Sequence, residues 1–156
     1  MAAIKILFVL LPQLSWDGKL QRLTIPHIGL AYIAAYLKGQ KLDCVVDVLD
    51  LSDNFADHKK RLQDKVKDWK PDIIGLSIYS QLAGEARLLV HEIKEITQTP
   101  VVVGGPHVSV IREDILKENE ADYGIVLDGE VPFYKLLKSL FIEKRPDLLG
   151  TVPGLI

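Results

Sequence analysis

Residues 100–107 read Pro100-Val101-Val102-Val103-Gly104-Gly105-Pro106-His107. A residue without an amide proton opens the stretch, three β-branched residues follow, and two glycines turn the chain before a second proline. An apolar run without alternating polar residues marks a strand covered on both faces, as parallel strands are. Working outward, similar runs recur at Ile4 to Leu11, Cys44 to Leu51, Ile73 to Ile78 and Tyr123 to Leu127. Helically spaced apolar residues lie between them: Ile28, Ala31, Ala34 and Leu37, then Phe55, Leu62, Val66 and Trp69, then Ala86, Leu89, Val90, Ile93 and Ile96. A fourth helix is expected near Val110 to Glu118 and a fifth through Phe133, Leu136, Leu137 and Leu140.

Five strand–helix units in strict alternation predict an α/β fold, a doubly wound five-stranded parallel sheet with helices on both faces. Right-handed crossovers favour the flavodoxin-like, Rossmann-like order 2-1-3-4-5. Pro26 suits the first turn of the first helix, and Pro71-Asp72 and Pro100 separate helices from strands. Residues 1–143 form the expected domain. Residues 144–156, with Arg145-Pro146-Asp147 and Val152-Pro153-Gly154, lose the pattern and read as a linker toward a further module.

With 156 residues, the chain can bury a core without metal or disulfide staples. Its 19 basic and 21 acidic residues are spread along the chain and form no basic stripe, so a nucleic-acid partner is not expected. The single cysteine, Cys44, lies in an apolar run, which rules out an intrachain disulfide and a multi-cysteine metal site and suits a buried small hydrophobe. The apolar opening lacks a basic leader, and no later run approaches bilayer length, so no membrane association and a cytoplasmic location are expected.

In an open parallel sheet, ligands lie beyond the carboxyl ends of the strands, where helix N-termini offer free amides. Five loops therefore matter: Pro12 to Ile25, Asp50 to Asn54, Ser77 to Gly84, Gly104 to Ser109, and Leu127 to Pro132. The first is long and carries Trp16 and Asp17, to which no role is assigned. Ser77, Ile78, Tyr79 and Ser80, followed by Gln81, concentrate hydrogen-bonding groups at a strand end, although Ser80 reads equally as a helix cap. Gly104 and Gly105 permit a sharp turn and close backbone approach to a ligand, with Pro106 and His107 beside them. Asp128, Gly129 and Glu130 end the fifth strand where a helix dipole favours negative charge, as caps or as site residues.

Several site classes lack their residues. There is no Walker A loop and no Gly-x-Gly-x-x-Gly turn. A phosphorelay receiver would need an aspartate where Ser77 and Tyr79 stand, and flavodoxin a hydroxyl-rich loop where Leu11-Pro12-Gln13-Leu14 stands. No Gly-x-Ser-x-Gly elbow occurs.

Pro26-His27-Ile28-Gly29-Leu30-Ala31-Tyr32-Ile33-Ala34-Ala35-Tyr36-Leu37, Pro71-Asp72-Ile73-Ile74-Gly75-Leu76-Ser77 and Val101 to His107, in this order, resemble the amino-terminal cobalamin-binding domain of radical S-adenosylmethionine enzymes. The resemblance spans almost the whole chain. It implies a cobalamin at the carboxyl edge of the sheet, with its nucleotide tail near Ser77, Gly104 and Gly105. That family's Gly-Glu-Gly-Glu turn appears here as Leu127-Asp128-Gly129-Glu130, which puts a side chain where the family has its first glycine. Other cobalamin carriers place a histidine cobalt ligand in Asp-x-His-x-x-Gly. His27-Ile28-Gly29 is one residue short of that spacing and has Ile25 in place of the aspartate, so His27 is read as a helix-start residue and no metal ligand is assigned.

The resemblance also implies S-adenosylmethionine and a [4Fe-4S] cluster in a parent enzyme, such as a methyltransferase. The Cys-x-x-x-Cys-x-x-Cys motif for that cluster is not in this chain, so no catalytic residue is expected in it. The expected role is a cobalamin-binding module serving a radical S-adenosylmethionine catalytic domain in cis or in trans. A cofactor-free docking domain and an independent small-molecule-binding protein of flavodoxin-like fold are the alternatives.

Overall fold

The computed structural model describes residues 3–11, 13–14, 17, 19–21, 27–52 and 55–156. In chain order the strands and α-helices are β1 (Ile4–Leu10), β2 (Gln13–Leu14), β3 (Leu20–Gln21), α1 (Ile28–Gly39), β4 (Cys44–Asp50), α2 (His58–Trp69), β5 (Ile73–Ser77), α3 (Ala83–Ile96), β6 (Val101–Gly104), α4 (Pro106–Ile111), α5 (Asp114–Asn119), β7 (Tyr123–Gly124) and α6 (Glu130–Leu137). The main sheet has five parallel strands in the order β4-β1-β5-β6-β7, the expected 2-1-3-4-5 of a flavodoxin-like, Rossmann-like fold.

The buried runs of β1, β5 and β6 feed two cores, one on each face of the sheet. One core gathers Leu62 and Val66 of α2, Leu89, Val90 and Ile93 of α3, Val108 of α4 and Ile115 of α5. The other gathers Leu37 of α1 with Phe133, Leu136 and Leu137 of α6. Burial of such runs is the main stabilising term, at roughly 25 cal/mol per Å² of apolar surface. On the first face the buried Glu92 of α3 is paired with His58 of α2 at 2.8 Å.

The structure departs from the expected pattern in four places. The first connection contains an antiparallel pair, β2 with β3. The fourth helix begins at Pro106, four residues before Val110, and is broken into α4 and α5 at Arg112, so much of the expected Gly104 to Ser109 loop is helical. Pro106 accounts for the early start, because its fixed φ and missing amide proton suit the first helical position.

In α1, Leu30, Ile33 and Leu37 join the core, whereas Ile28 and Ala31 are exposed. This helix is apolar nearly all round, so spacing alone does not select its buried face. Pro26 and Trp16 lie outside the described residues.

Finally, β7 is shorter than the apolar run from Tyr123 to Leu127, and residues after a 3-10 helix (Pro146–Thr151) return beside it. Gly124 and Ile156 exchange amide-to-carbonyl bonds of 2.7 and 2.8 Å, and the Val126 amide donates to the Gly154 carbonyl at 2.9 Å. An antiparallel return of this kind covers an edge that would otherwise present unpaired backbone groups.

Candidate functional site: a crevice at the carboxyl edge of the sheet

A crevice of about 700 Å³, counted out to its open mouth, lies between α1 and the carboxyl ends of β5, β6 and β7. Its floor depends on a glycine inside a strand. A Cβ on Gly75 would stand 2.7 Å from the ring of Phe8, so only glycine lets that ring cover the sheet here. Phe8 packs against Phe133 with ring centroids 5.7 Å apart, and both rings line the crevice.

The β6–α4 turn forms one wall. Gly105 has φ 100°, and a Cβ on it would lie 2.8 Å from the Ile78 amide nitrogen, the Ile78 carbonyl oxygen and Ser77 Oγ. Both the conformation and the space demand glycine at this position. Gly104 differs, since a Cβ there would meet only Ile125, at 3.7 Å or more. The space over Gly104 is open to the crevice, not filled by the fold.

Of the residues singled out in the sequence, Ser77, Gly104, Gly105, Asp128, Gly129 and Glu130 line this crevice together. Ile78, Tyr79, Ser80, Pro106 and His107 are not among its lining residues. Ile78 is fully buried, its amide donating to the Gly104 carbonyl at 2.7 Å and its carbonyl accepting from the His107 amide at 3.1 Å. Ser80 Oγ lies 3.1 Å from His107 Nδ1, and α3 carries no side-chain cap hydrogen bond. Ile78, Ser80 and His107 are thus bonded into the β5–α3 and β6–α4 connections. Nor does a side chain cap α6, whose N-cap is Gly129, so Asp128 and Glu130 stand at the crevice without a capping bond.

The opposite wall comes from α1, through His27, Gly29, Leu30 and Ile33. His27 occupies the N-cap position but its side chain makes no cap hydrogen bond. Both ring nitrogens are shielded from solvent and lack a hydrogen-bond partner among the described residues. Burial lowers the imidazole pKa below its ordinary value, more than the residue's own nearby backbone, which forms no hydrogen bond of good geometry with the ring, raises it, and this favours the neutral ring. A neutral imidazole has one donor and one acceptor nitrogen, so the crevice contains an unmet demand for a polar partner. Tyr79 sits beside it, with ring centroids 6.1 Å apart.

Sequence reasoning also passed over Ser109. Its hydroxyl donates to the Gly105 carbonyl at 3.2 Å and accepts from the Leu127 amide at 2.9 Å, tying two turns of the crevice together. No sequence motif signals this bond. Gly75 did carry a signal, as an isolated glycine inside an apolar strand run. Cys44 is half-buried, and burial together with Asp43 raises its thiol pKa, which suits an inert packing role. Among the described residues no group of three or more His, Cys, Asp or Glu is placed to hold a metal ion. Nor is any helix among them long and apolar enough to cross a membrane.

Residues 22–137, which include all the crevice-lining residues except Phe8, match the family described as the B12 binding domain. The chain belongs to that family. This B12-binding domain is also 30% identical over 152 residues to an uncharacterised methyltransferase, PH0819, of Pyrococcus horikoshii, covering 96% of the chain and 32% of that relative.

Its fold is shared with the radical S-adenosylmethionine methyltransferase TsrM of Kitasatospora setae, solved with cobalamin and a [4Fe-4S] cluster bound. That match has TM-score 0.81 and 24% identity, over 99% of this chain and 27% of the other. The cobalamin-dependent S-adenosylmethionine radical enzyme OxsB, solved with aqua-cobalamin bound, gives TM-score 0.72 and 22% identity, over 98% of this chain and 20% of the other. The B12-binding domain thus spans about a third or less of the length of these relatives.

Proposed function

We propose that this domain is the cobalamin-holding module of a radical S-adenosylmethionine methyltransferase or related enzyme. The observation that carries the reading is the crevice itself, placed where open parallel sheets bind ligands and cradled by a glycine that nothing else can replace. Its chemistry fits the cofactor. The Gly105 turn brings bare backbone to the crevice, the aromatic and aliphatic floor suits an apolar ring, and the unpartnered His27 nitrogens offer polar contact. Family membership supports the same ligand.

In this reading Ser77, Gly104 and Gly105 hold the nucleotide tail. Asp128, Gly129 and Glu130 form the facing turn, and His27 contributes from α1. Ile78, Tyr79, Ser80, Pro106 and His107 support that wall without touching the ligand. When bound, the cobalt would supply the group-transfer chemistry, while the protein binds, orients and screens it from water. The [4Fe-4S] cluster and S-adenosylmethionine belong to a catalytic module joined in cis or docked in trans, with residues 144–156 leading toward it.

A second reading, a docking domain without cofactor, draws support from the exposed apolar residues Ile28, Tyr32 and Val131 on α1 and α6. Titration of the domain with hydroxocobalamin separates the two. A shift in the cobalamin absorption spectrum and co-elution in gel filtration at roughly tens of micromolar support the module. Neither effect at that concentration rules it out and favours docking alone.

A further inference from the structure

We propose that Leu127 is a specificity-determining residue of the crevice, held in a left-handed turn so that its side chain covers an apolar surface of the bound ligand. This rests on the reading of the crevice as a cobalamin site and names a side chain that would meet the cofactor.

Six non-glycine residues among those described have positive φ: Lys41, Lys70, Arg112, Glu120, Leu127 and Lys144. Five of them close helices. Lys70, Arg112 and Glu120 are the C-caps of α2, α4 and α5, while Lys41 and Lys144 each follow the C-cap of a helical segment. A left-handed helical residue there, as at Lys70 and Glu120, helps satisfy the last carbonyls of a helix. All five are polar. Leu127, with φ 61°, ends no helix and is the sole aliphatic residue of the set. Its Cβ is disfavoured in this conformation, in which glycine or asparagine is the ordinary choice.

The fold draws no packing benefit from the side chain, which is 76% exposed. Yet the turn is firmly placed, because the Leu127 amide donates to Ser109 Oγ while the Ser109 hydroxyl donates to the Gly105 carbonyl. The conformation at Leu127 is thereby locked to the Gly105 wall, and the exposed leucine lies among the residues lining the crevice. Two unfavourable features, backbone strain and an uncovered apolar side chain, coincide at one residue on the site. Strain of this kind persists where function uses it, and a ligand with an apolar surface relieves the exposure.

The test compares Leu127→Gly, Leu127→Asn and Leu127→Met with the wild-type chain, by hydroxocobalamin titration and by thermal melting without ligand. Glycine and asparagine both accept the left-handed turn, so both variants are expected to melt at or above the wild-type temperature. Both should bind about tenfold more weakly, equivalent to about 1.4 kcal/mol, whereas methionine should retain most of the affinity. Affinities within about twofold of wild type for glycine and asparagine would overturn the inference. So would a clear drop in their melting temperature, since the side chain would then be serving the fold. If the wild-type chain itself fails to bind, the cobalamin reading falls and this inference with it; wild-type binding with indifferent variants removes the inference alone.

Discussion

The two edges of the sheet handle their polar groups in opposite ways. At the amino edge, carboxylates close off strand amides: Asp72 Oδ2 accepts from the Lys5 amide at 2.8 Å, and Asp122 Oδ2 accepts from the Val101 amide at 2.6 Å while also pairing with Lys94. Thr99 Oγ1 donates to the Pro71 carbonyl at 3.3 Å. At the carboxyl edge, His27 has two nitrogens without a partner among the described residues, Gly105 and Leu127 hold positive φ, and an apolar crevice stands open. Satisfied polar groups mark a region selected for stability. Unmet demand and strain cluster at the edge where the cofactor is proposed to bind, which makes the contrast informative.

That contrast can be broken from either side. The largest expected effect is that of Gly105→Ala, where a methyl group meets backbone atoms in a conformation disfavoured for alanine. We expect a loss of at least about 3 kcal/mol of stability, read by denaturant unfolding. Gly104→Val comes next and should act in the opposite sense. Its first carbon has room, so melting should stay near wild type while cobalamin affinity falls about 100-fold, or about 2.7 kcal/mol. Preserved affinity would place the ligand elsewhere.

Asp122→Ala should destabilise the fold by about 2 kcal/mol through the lost charged acceptor, lowering the melting temperature by about 4–8 °C. Cobalamin affinity should stay unchanged, because the amino edge lies outside the proposed site.

A smaller effect belongs to His27→Phe. Because the folded-state pKa of His27 is lowered, its titration costs no stability above the unfolded value of about 6.5, and stability is lost as pH falls through that value toward the folded pKa. The wild-type domain should therefore lose stability below that pH, and the phenylalanine variant should lose less. Removing two orphaned nitrogens should also raise the variant's ligand-free stability at neutral pH by about 1 kcal/mol. Parallel pH profiles for the two proteins would show that His27 is partnered after all.

Much of this architecture was legible in the sequence. Apolar runs without alternation announced parallel strands, and Gly104-Gly105 marked a turn that the structure shows to be sterically obligatory at its second residue. The crevice itself was only half legible. Ser77, the glycine pair and Asp128 to Glu130 could be placed at strand ends, but the α1 wall could not, because a helix apolar on most sides does not reveal that Leu30 and Ile33 face inward. Ile78 to Ser80 carried suggestive polar chemistry, yet whether such groups face a ligand or brace a neighbouring turn depends on tertiary contacts. The return of residues 154–156 along β7 and the Ser109 link are long-range backbone and side-chain bonds that leave no local signature.

In the proposed reading, the crevice between Gly105 and α1 holds a cobalamin by its nucleotide tail. Equilibrium dialysis of the chain against cobalamin and against cobinamide, which lacks that tail, tests it most directly. Retention of cobalamin with cobinamide bound at least about 100-fold more weakly is the result expected. Equal affinity for both, or for neither, would contradict it.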